Sequence, residues 1–310
     1  MILWTYLALL AFWLFSPRSS HGAPTFTIQV SNVTWPGQTG SGYYVFDAAA
    51  YPYAANFTIT KTKNGIHQYF VTFSRNSSGN YNRVLKNGSN QLNYQLYKEA
   101  ALTTVLEALP DATSSQVISG STPAANPSVI ALTFYVHIPP GQVLAPGTYT
   151  DTVTLSVYDG SFPGGTLENS ATITISAQVR AVADLALVAS GAAFTASTSR
   201  TLNFGALSSG QNLGCDLRVR SNIGYNIALA SQNLGVLKAS SPITFTIPYA
   251  MTIRGQALDL TQTQATFPST PPSITDNNGQ AYPIAVTIGN FTNPPAGTYS
   301  DVVTVTVTTN

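Results

Sequence analysis

The chain has 310 residues, enough for one large domain or two ordinary ones, each with its own core. Charged residues make up only 8% and the formal net charge is +1 with no run of Lys or Arg, which argues against a nucleic-acid or acidic-lipid binder. The single cysteine excludes an intramolecular disulfide, so stability must come from packing or from partners, and Cys215 is expected to be a buried thiol.

The first element in chain order is an unbroken apolar run, Ile2 to Phe15, followed by the polar, small-residue stretch "SPRSSHGA". That layout predicts a secretory signal peptide over 1–23, cleaved after Gly22 or Ala23, and hence export. A retained anchor is the alternative, but fourteen residues fall short of the ~20 needed to cross a bilayer.

Alternation of apolar residues with Thr, Ser or Asn then recurs at 25–30, 56–60, 67–73, 131–138, 171–179, 225–230, 243–247 and 281–288. Period two, β-branched and aromatic residues, and intervening Gly, Pro, Asn and Ser turns predict half-buried strands and an all-β, double-layer fold. One stretch conflicts with this. "YKEAALTTVLEAL", Tyr97 to Leu109, has local helical preference, while "LNYQLY" just before it alternates as a strand; the strand is assigned and the remainder left open.

Residues 145–157 and 295–307 align at an offset of 150 with seven identities in thirteen, including Gly147/Gly297, Tyr149/Tyr299, Asp151/Asp301 and Val157/Val307. Tyr94 in "LNYQLY" is echoed by Tyr249 in "IPYAMT". A repeat at this distance predicts two related domains, 24–180 and 181–310, meeting near Arg180. The first copy continues through the turn "DGSFPGG" into the strand 171–179, and nothing comparable follows the second copy in this sequence. A closing strand buries four or five apolar side chains at ~1.5–3 kcal/mol each, so about 6–15 kcal/mol is missing from the second domain, as much as the whole net stability of an ordinary domain. The expectation is an apolar groove bordered by a strand carrying Val303, Val305 and Val307, filled by β-strand addition from another chain.

"LNYQLYKEAALTTV" at 92–105 resembles the signature of the spore coat protein U family, the pilin-like domains of archaic, Csu-type chaperone–usher pili. The two "GTY(T/S)D" endings, "LNFG" at 202–205 and "SNIGYNIALASQNLGVL" at 221–237 resemble it too, whereas 35–65 and 255–280 do not. The resemblance implies two immunoglobulin-like β-sandwich domains, the C-terminal one lacking its closing strand. It also implies assembly through a periplasmic chaperone and an outer-membrane usher, and an adjacent pilin subunit donating a strand. Two domains, with only the second open, resemble the tip adhesin of such a pilus, which would attach the cell to an abiotic or hydrophobic host surface and support biofilm formation. A non-tip pilus subunit and a secreted spore or cyst coat protein are the alternatives. Family pilin domains commonly carry a cysteine pair, and this chain departs from that.

For a tip subunit, the loops of the first domain that point away from the second are the candidate adhesive surface. Counting strands places the loops 110–129 and 159–169 there. Val117, Ile118, Phe162 and Pro163 are their apolar residues, with Val143 and Leu144 in "PPGQVLAPGTY" a further candidate. Either these side chains form an exposed contact surface, or they fold back onto the sandwich edge or, for the last two, onto the domain junction. His67 and His137 stand far apart on alternating strands with no metal-ligand spacing, and neither a nucleophile elbow nor a phosphate-binding loop occurs. No enzymatic activity, cofactor or metal is expected.

Overall fold

A computed structural model describes residues 25–37, 40–49, 51–240, 244–267 and 274–310. The apolar run Ile2 to Phe15 and the expected cleavage site lie outside them. The chain forms two β-sandwiches joined by residues 180–182.

The first sandwich contains β1 (Phe26–Val30), β2 (Val33–Trp35), β3 (Tyr53–Lys61), β4 (Gln68–Phe73), β5 (Val84–Asn87), β6 (Asn90–Asn93) and β7 (Gln95–Tyr97). It continues with β8 (Ile118–Ser121), β9 (Ser128–His137), β10 (Gly147–Asp159) and β11 (Thr166–Val179). One sheet has the order β1-β3-β9-β7 and faces another of order β2-β11-β10-β4-β8, which β5 joins through β10. The second sandwich contains β12 (Ala183–Val188), β13 (Asn212–Ser221), β14 (Tyr225–Ser231), β15 (Val236–Ala239) and β16 (Thr246–Ile253). It is completed by β17 (Gln256–Leu258), β18 (Ala265–Phe267), β19 (Gln280–Ile288), β20 (Tyr299–Ser300) and β21 (Val303–Thr309). Its sheets run β12-β13-β19-β16-β15-β20 and β18-β14-β21.

Alternation converts directly into two layers. Phe57 and Ile59 on β3, Phe134 and Val136 on β9, and Val153, Leu155 and Val157 on β10 all turn inward into one core. Leu217, Val219, Ile227, Leu229, Ile284 and Val286 make a second. Cys215 is buried in that second core, and burial pushes its thiol pKa up.

The 97–109 stretch is not a helix, because tertiary packing outweighs a weak local preference. Tyr97 ends β7 against Tyr135 of β9, and the chain then turns back. The Glu99 carboxylate accepts from the backbone N–H of Thr103 (3.0 Å) and Thr104 (2.6 Å), closing the turn. Leu106 enters the core fully buried, and its carbonyl accepts 2.8 Å from a guanidinium nitrogen of the buried Arg83. A helix would carry Leu106 away from both. The strand expected at 243–247 instead starts at Thr246 and runs to Ile253.

Both sandwiches switch sheets at a tyrosine. Tyr94 separates β6, paired with β5, from β7, paired with β9. Tyr249 divides β16 into a part on β15 and a part on β19. Each tyrosine donates to the aspartate of the repeat: Tyr94 to Asp151 at 2.7 Å and Tyr249 to Asp301 at 2.6 Å. Burial, then the adjacent carboxylate, pushes both phenol pKa values well above the usual tyrosine range.

Candidate functional site

The two copies of the repeat occupy the same place in their sandwiches. Leu155 pairs with Phe73 and Val157 with Val71; 150 residues on, Val305 pairs with Leu229 and Val307 with Ile227. Thr150 pairs with Lys86, and Ser300 with Lys238. The Tyr149 hydroxyl donates to the Ala145 carbonyl and that of Tyr299 to the Pro295 carbonyl, both at 2.8 Å.

Their other edges differ. β10 is held by β4 on one side and along its whole length by β11 on the other, with Val153 opposite Ile173 and Tyr149 opposite Ala177. β21 pairs with β14 and, among the described residues, has no strand on its second edge. Val153, Leu155 and Val157 are 0% exposed, while Val303, Val305 and Val307 are only half-buried against the second core. The opposite lip is β12, which among the described residues pairs as a strand with β13 alone; its Leu185 and Leu187 are also half-buried, and the Leu187 N–H donates to the Ser197 carbonyl at 2.9 Å. Its counterpart β1 buries Phe26 and Ile28 beneath β11. Leu202 and Phe204, from the irregular stretch before β13, complete the apolar lining. The result is a slot between two sheet edges that offers aliphatic side chains from both and, along β21, an unpaired backbone edge to an extended chain.

At the far end of β10 and β11, the loops selected from sequence do meet, but as a packed satellite core. Val117 is fully buried with Phe70 and Ala112, and Leu109, Tyr158 and Phe162 pack on this cluster. Ile118 is 8% exposed and belongs to the main core. The expectation that Val117 and Ile118 present an exposed contact surface is therefore corrected. The short 3-10 turn Ser114–Gln116 folds them under the hairpin, where Phe70 stacks on Tyr158 at 4.6 Å and meets Phe162 edge-on at 5.4 Å. Phe162 is half-buried there and Pro163 is exposed. Val143 and Leu144 pack on the main core, and the Leu144 carbonyl accepts 2.8 Å from the Asn222 amide of the second sandwich, so this segment belongs to the junction.

The apolar side chains that do stand in solvent at this end are Ile66 (69% exposed), Val129 (66%) and Leu167 (54%). Backbone bonds tie their loops together: Thr122 to the His67 carbonyl (2.9 Å) and Gly160 to the Gln68 carbonyl (2.9 Å). The Thr25 N–H donates to Glu168 at 2.6 Å. His67 sits among them, its Nδ1 3.0 Å from Asp159. Each of the three is a lone apolar residue beside a turn, and only its outward parity at a strand end could have signalled it.

The Spore Coat Protein U domain family model matches residues 32–156, all within the first sandwich. Among solved structures, the chain is similar to the CsuC–CsuE chaperone–tip adhesion subunit pre-assembly complex of archaic chaperone-usher Csu pili of Acinetobacter baumannii. That match has 15% identity, 91% of this chain and 99% of that one covered, and a TM-score of 0.47. The CupB6 tip adhesin from Pseudomonas aeruginosa matches at 7% identity over 92% and 95% of the two chains, with a TM-score of 0.40. CfaE, the adhesive subunit of CFA/I fimbria of enterotoxigenic Escherichia coli, matches at 14% identity over 92% and 81%, with a TM-score of 0.31. Comparison with curated proteins finds no match.

Proposed function

We propose that the chain is the tip adhesin of a chaperone–usher pilus. In this reading 24–180 is the adhesive domain and 181–310 the pilin-like domain that joins the fibre by accepting a donor strand from the adjacent subunit. It passes through the periplasm with a chaperone, leaves through an outer-membrane usher, and acts at the cell surface in attachment and biofilm formation, without enzymatic activity. The observation that carries the reading is the unpaired edge of β21, with half-buried valines where the same strand of the first sandwich is sealed by β11. The family match of the first sandwich and the placing of the adhesive end and the acceptor slot on different sandwiches support it. The adhesive face is the end of the first sandwich bearing Ile66, Val129, Leu167 and Pro163, which suits an abiotic or hydrophobic host surface.

The test appends a copy of residues 166–179, through a short Gly/Ser linker, after Asn310. The appended chain is expected to be a monomer whose second sandwich melts more than about 10 °C higher, with the original chain prone to self-association. Equal melting and equal monomer content for both would overturn the reading. Within a folded, assembled fibre, Ile66→Ser with Leu167→Ser is expected to reduce adhesion to polystyrene several-fold and leave assembly intact.

A further inference from the structure

The strands leave a second concavity, on the flank of the first sandwich beside the junction and away from the adhesive end. It measures about 320 Å³ and is lined by Trp35, Tyr43, Tyr44, Tyr51, Asp47 and Arg180, with Ile138 behind them. That is the lower end of the range for small-ligand sites, in which mostly apolar walls carry a few convergent polar groups.

Its aromatic walls are fixed in advance. Trp35 and Tyr43 are buried with ring centroids 6.0 Å apart, and the Tyr43 hydroxyl donates to the Pro139 carbonyl (2.8 Å) while accepting from the Gln142 N–H (2.9 Å). Tyr44 donates its hydroxyl to Asp184, across the junction. Burial, then that bond, pushes its pKa up to about 12, so it stays a neutral donor. Tyr51 is 41% exposed and forms the rim.

The polar pair is the informative part. Asp47 uses one carboxylate oxygen to accept from the Ala49 N–H at 3.1 Å, and its other oxygen has no partner among the described residues. Arg180 lies over the Tyr44 ring at 5.8 Å and gives one guanidinium nitrogen to Ser41 at 3.3 Å. The two charges line one cleft without pairing with each other. An anionic ligand would be opposed by Asp47 and a cationic one by Arg180, whereas a neutral polyhydroxyl ligand uses both, donating to the carboxylate and accepting from the guanidinium. Its C–H faces suit tyrosine and tryptophan rings.

We infer that this cleft binds a neutral saccharide of one or two rings, with Tyr51 and Tyr44 against the sugar face and Asp47 and Arg180 on its hydroxyls. This does not depend on the adhesin reading.

The test titrates the full chain, by calorimetry and saturation-transfer NMR, with methyl glycosides of glucose, galactose, mannose and N-acetylglucosamine, their β-1,4 disaccharides, and the anionic methyl glycoside of sialic acid. At least one neutral sugar is expected to bind with a millimolar Kd. Asp47→Asn and Tyr51→Ala should each weaken it about tenfold or more, and Ile66→Ser should leave it unchanged. Asp47→Asn is the conservative variant and suffices if Tyr51→Ala fails to fold. No neutral binding up to about 50 mM, tighter binding of the anionic glycoside, or affinity untouched by Asp47→Asn would each overturn the inference.

Discussion

Strands β10 and β21 carry the same inward aliphatic pattern, the same register against β4 and β14, and the same tyrosine and aspartate contacts, yet one is sealed and the other open. A strand's position in a sandwich is thus set by its own alternation and by its neighbour on one side. Its stability depends on both sides. The first sandwich supplies its second neighbour from the next residues along the chain, through the hairpin between Asp159 and Thr166. The second sandwich makes an equivalent surface, and among the described residues no strand covers it.

Deleting the same side-chain volume from both strands should separate the two sandwiches most. Val157→Ala opens a cavity among fully buried neighbours and is expected to cost about 2–4 kcal/mol in chemical denaturation of the first sandwich. Val307→Ala, at the equivalent position but partly exposed, should cost ~1 kcal/mol or less. Once a donor strand occupies the slot the two costs should converge. Equal costs in the unfilled chain would mean that the groove is not open in solution.

How much of this was legible beforehand depends on whether the signal was local. Period-two alternation placed β1, β3, β4, β9, β11, β14 and β19, because a half-buried strand writes its geometry into adjacent residues. The repeat located the open edge, since Val303, Val305 and Val307 align with Val153, Leu155 and Val157. The repeat is also longer than sequence identity suggested: Val136 faces Leu96 as Val286, 150 residues on, faces Met251, 155 residues on. Exposure of loop residues was not legible. Val117 and Ile118 have small polar neighbours in sequence, and it is Phe70, nearly fifty residues earlier, that buries Val117. The conflict over 97–109 stayed open for the same reason, because Arg83 and Leu96 decide where Leu106 goes.

A smaller effect sharpens the comparison at the sheet-switching tyrosines. Tyr94→Phe leaves Asp151, 4% exposed, with the Ser77 N–H at 3.2 Å as its remaining partner among the described residues, and should cost about 1.5–3 kcal/mol. Tyr249→Phe should cost about 1 kcal/mol, because Asp301 keeps the Ser231 hydroxyl (2.6 Å) and the N–H groups of Asn233 (3.0 Å) and Val302 (2.8 Å). A larger loss at Tyr249 than at Tyr94 would show that the open sandwich depends on this bond more than the sealed one, reversing the order argued from burial.

The smallest difference is one of pH, and it arises because the repeat is inexact. His137 on β9 stands opposite Gln95, beside the Tyr97 ring, where β19 has Thr287 opposite Ala250. Burial pushes the His137 pKa down, so below the unfolded value near 6.5 the unfolded chain takes up a proton that the folded one resists. The first sandwich should therefore lose stability as pH falls below about 6.5, and the loss should level off once the folded imidazole also protonates. Thr287 carries no titrating group. Denaturation midpoints of the first sandwich at pH 7.5 and 5 should differ more in the parent chain than in His137→Gln, because a glutamine removes the titration and keeps a polar side chain at the same strand position. If the variant shows the same acid sensitivity as the parent, the acid response of the first sandwich comes from other groups, and the two sandwiches do not differ in pH behaviour through this position.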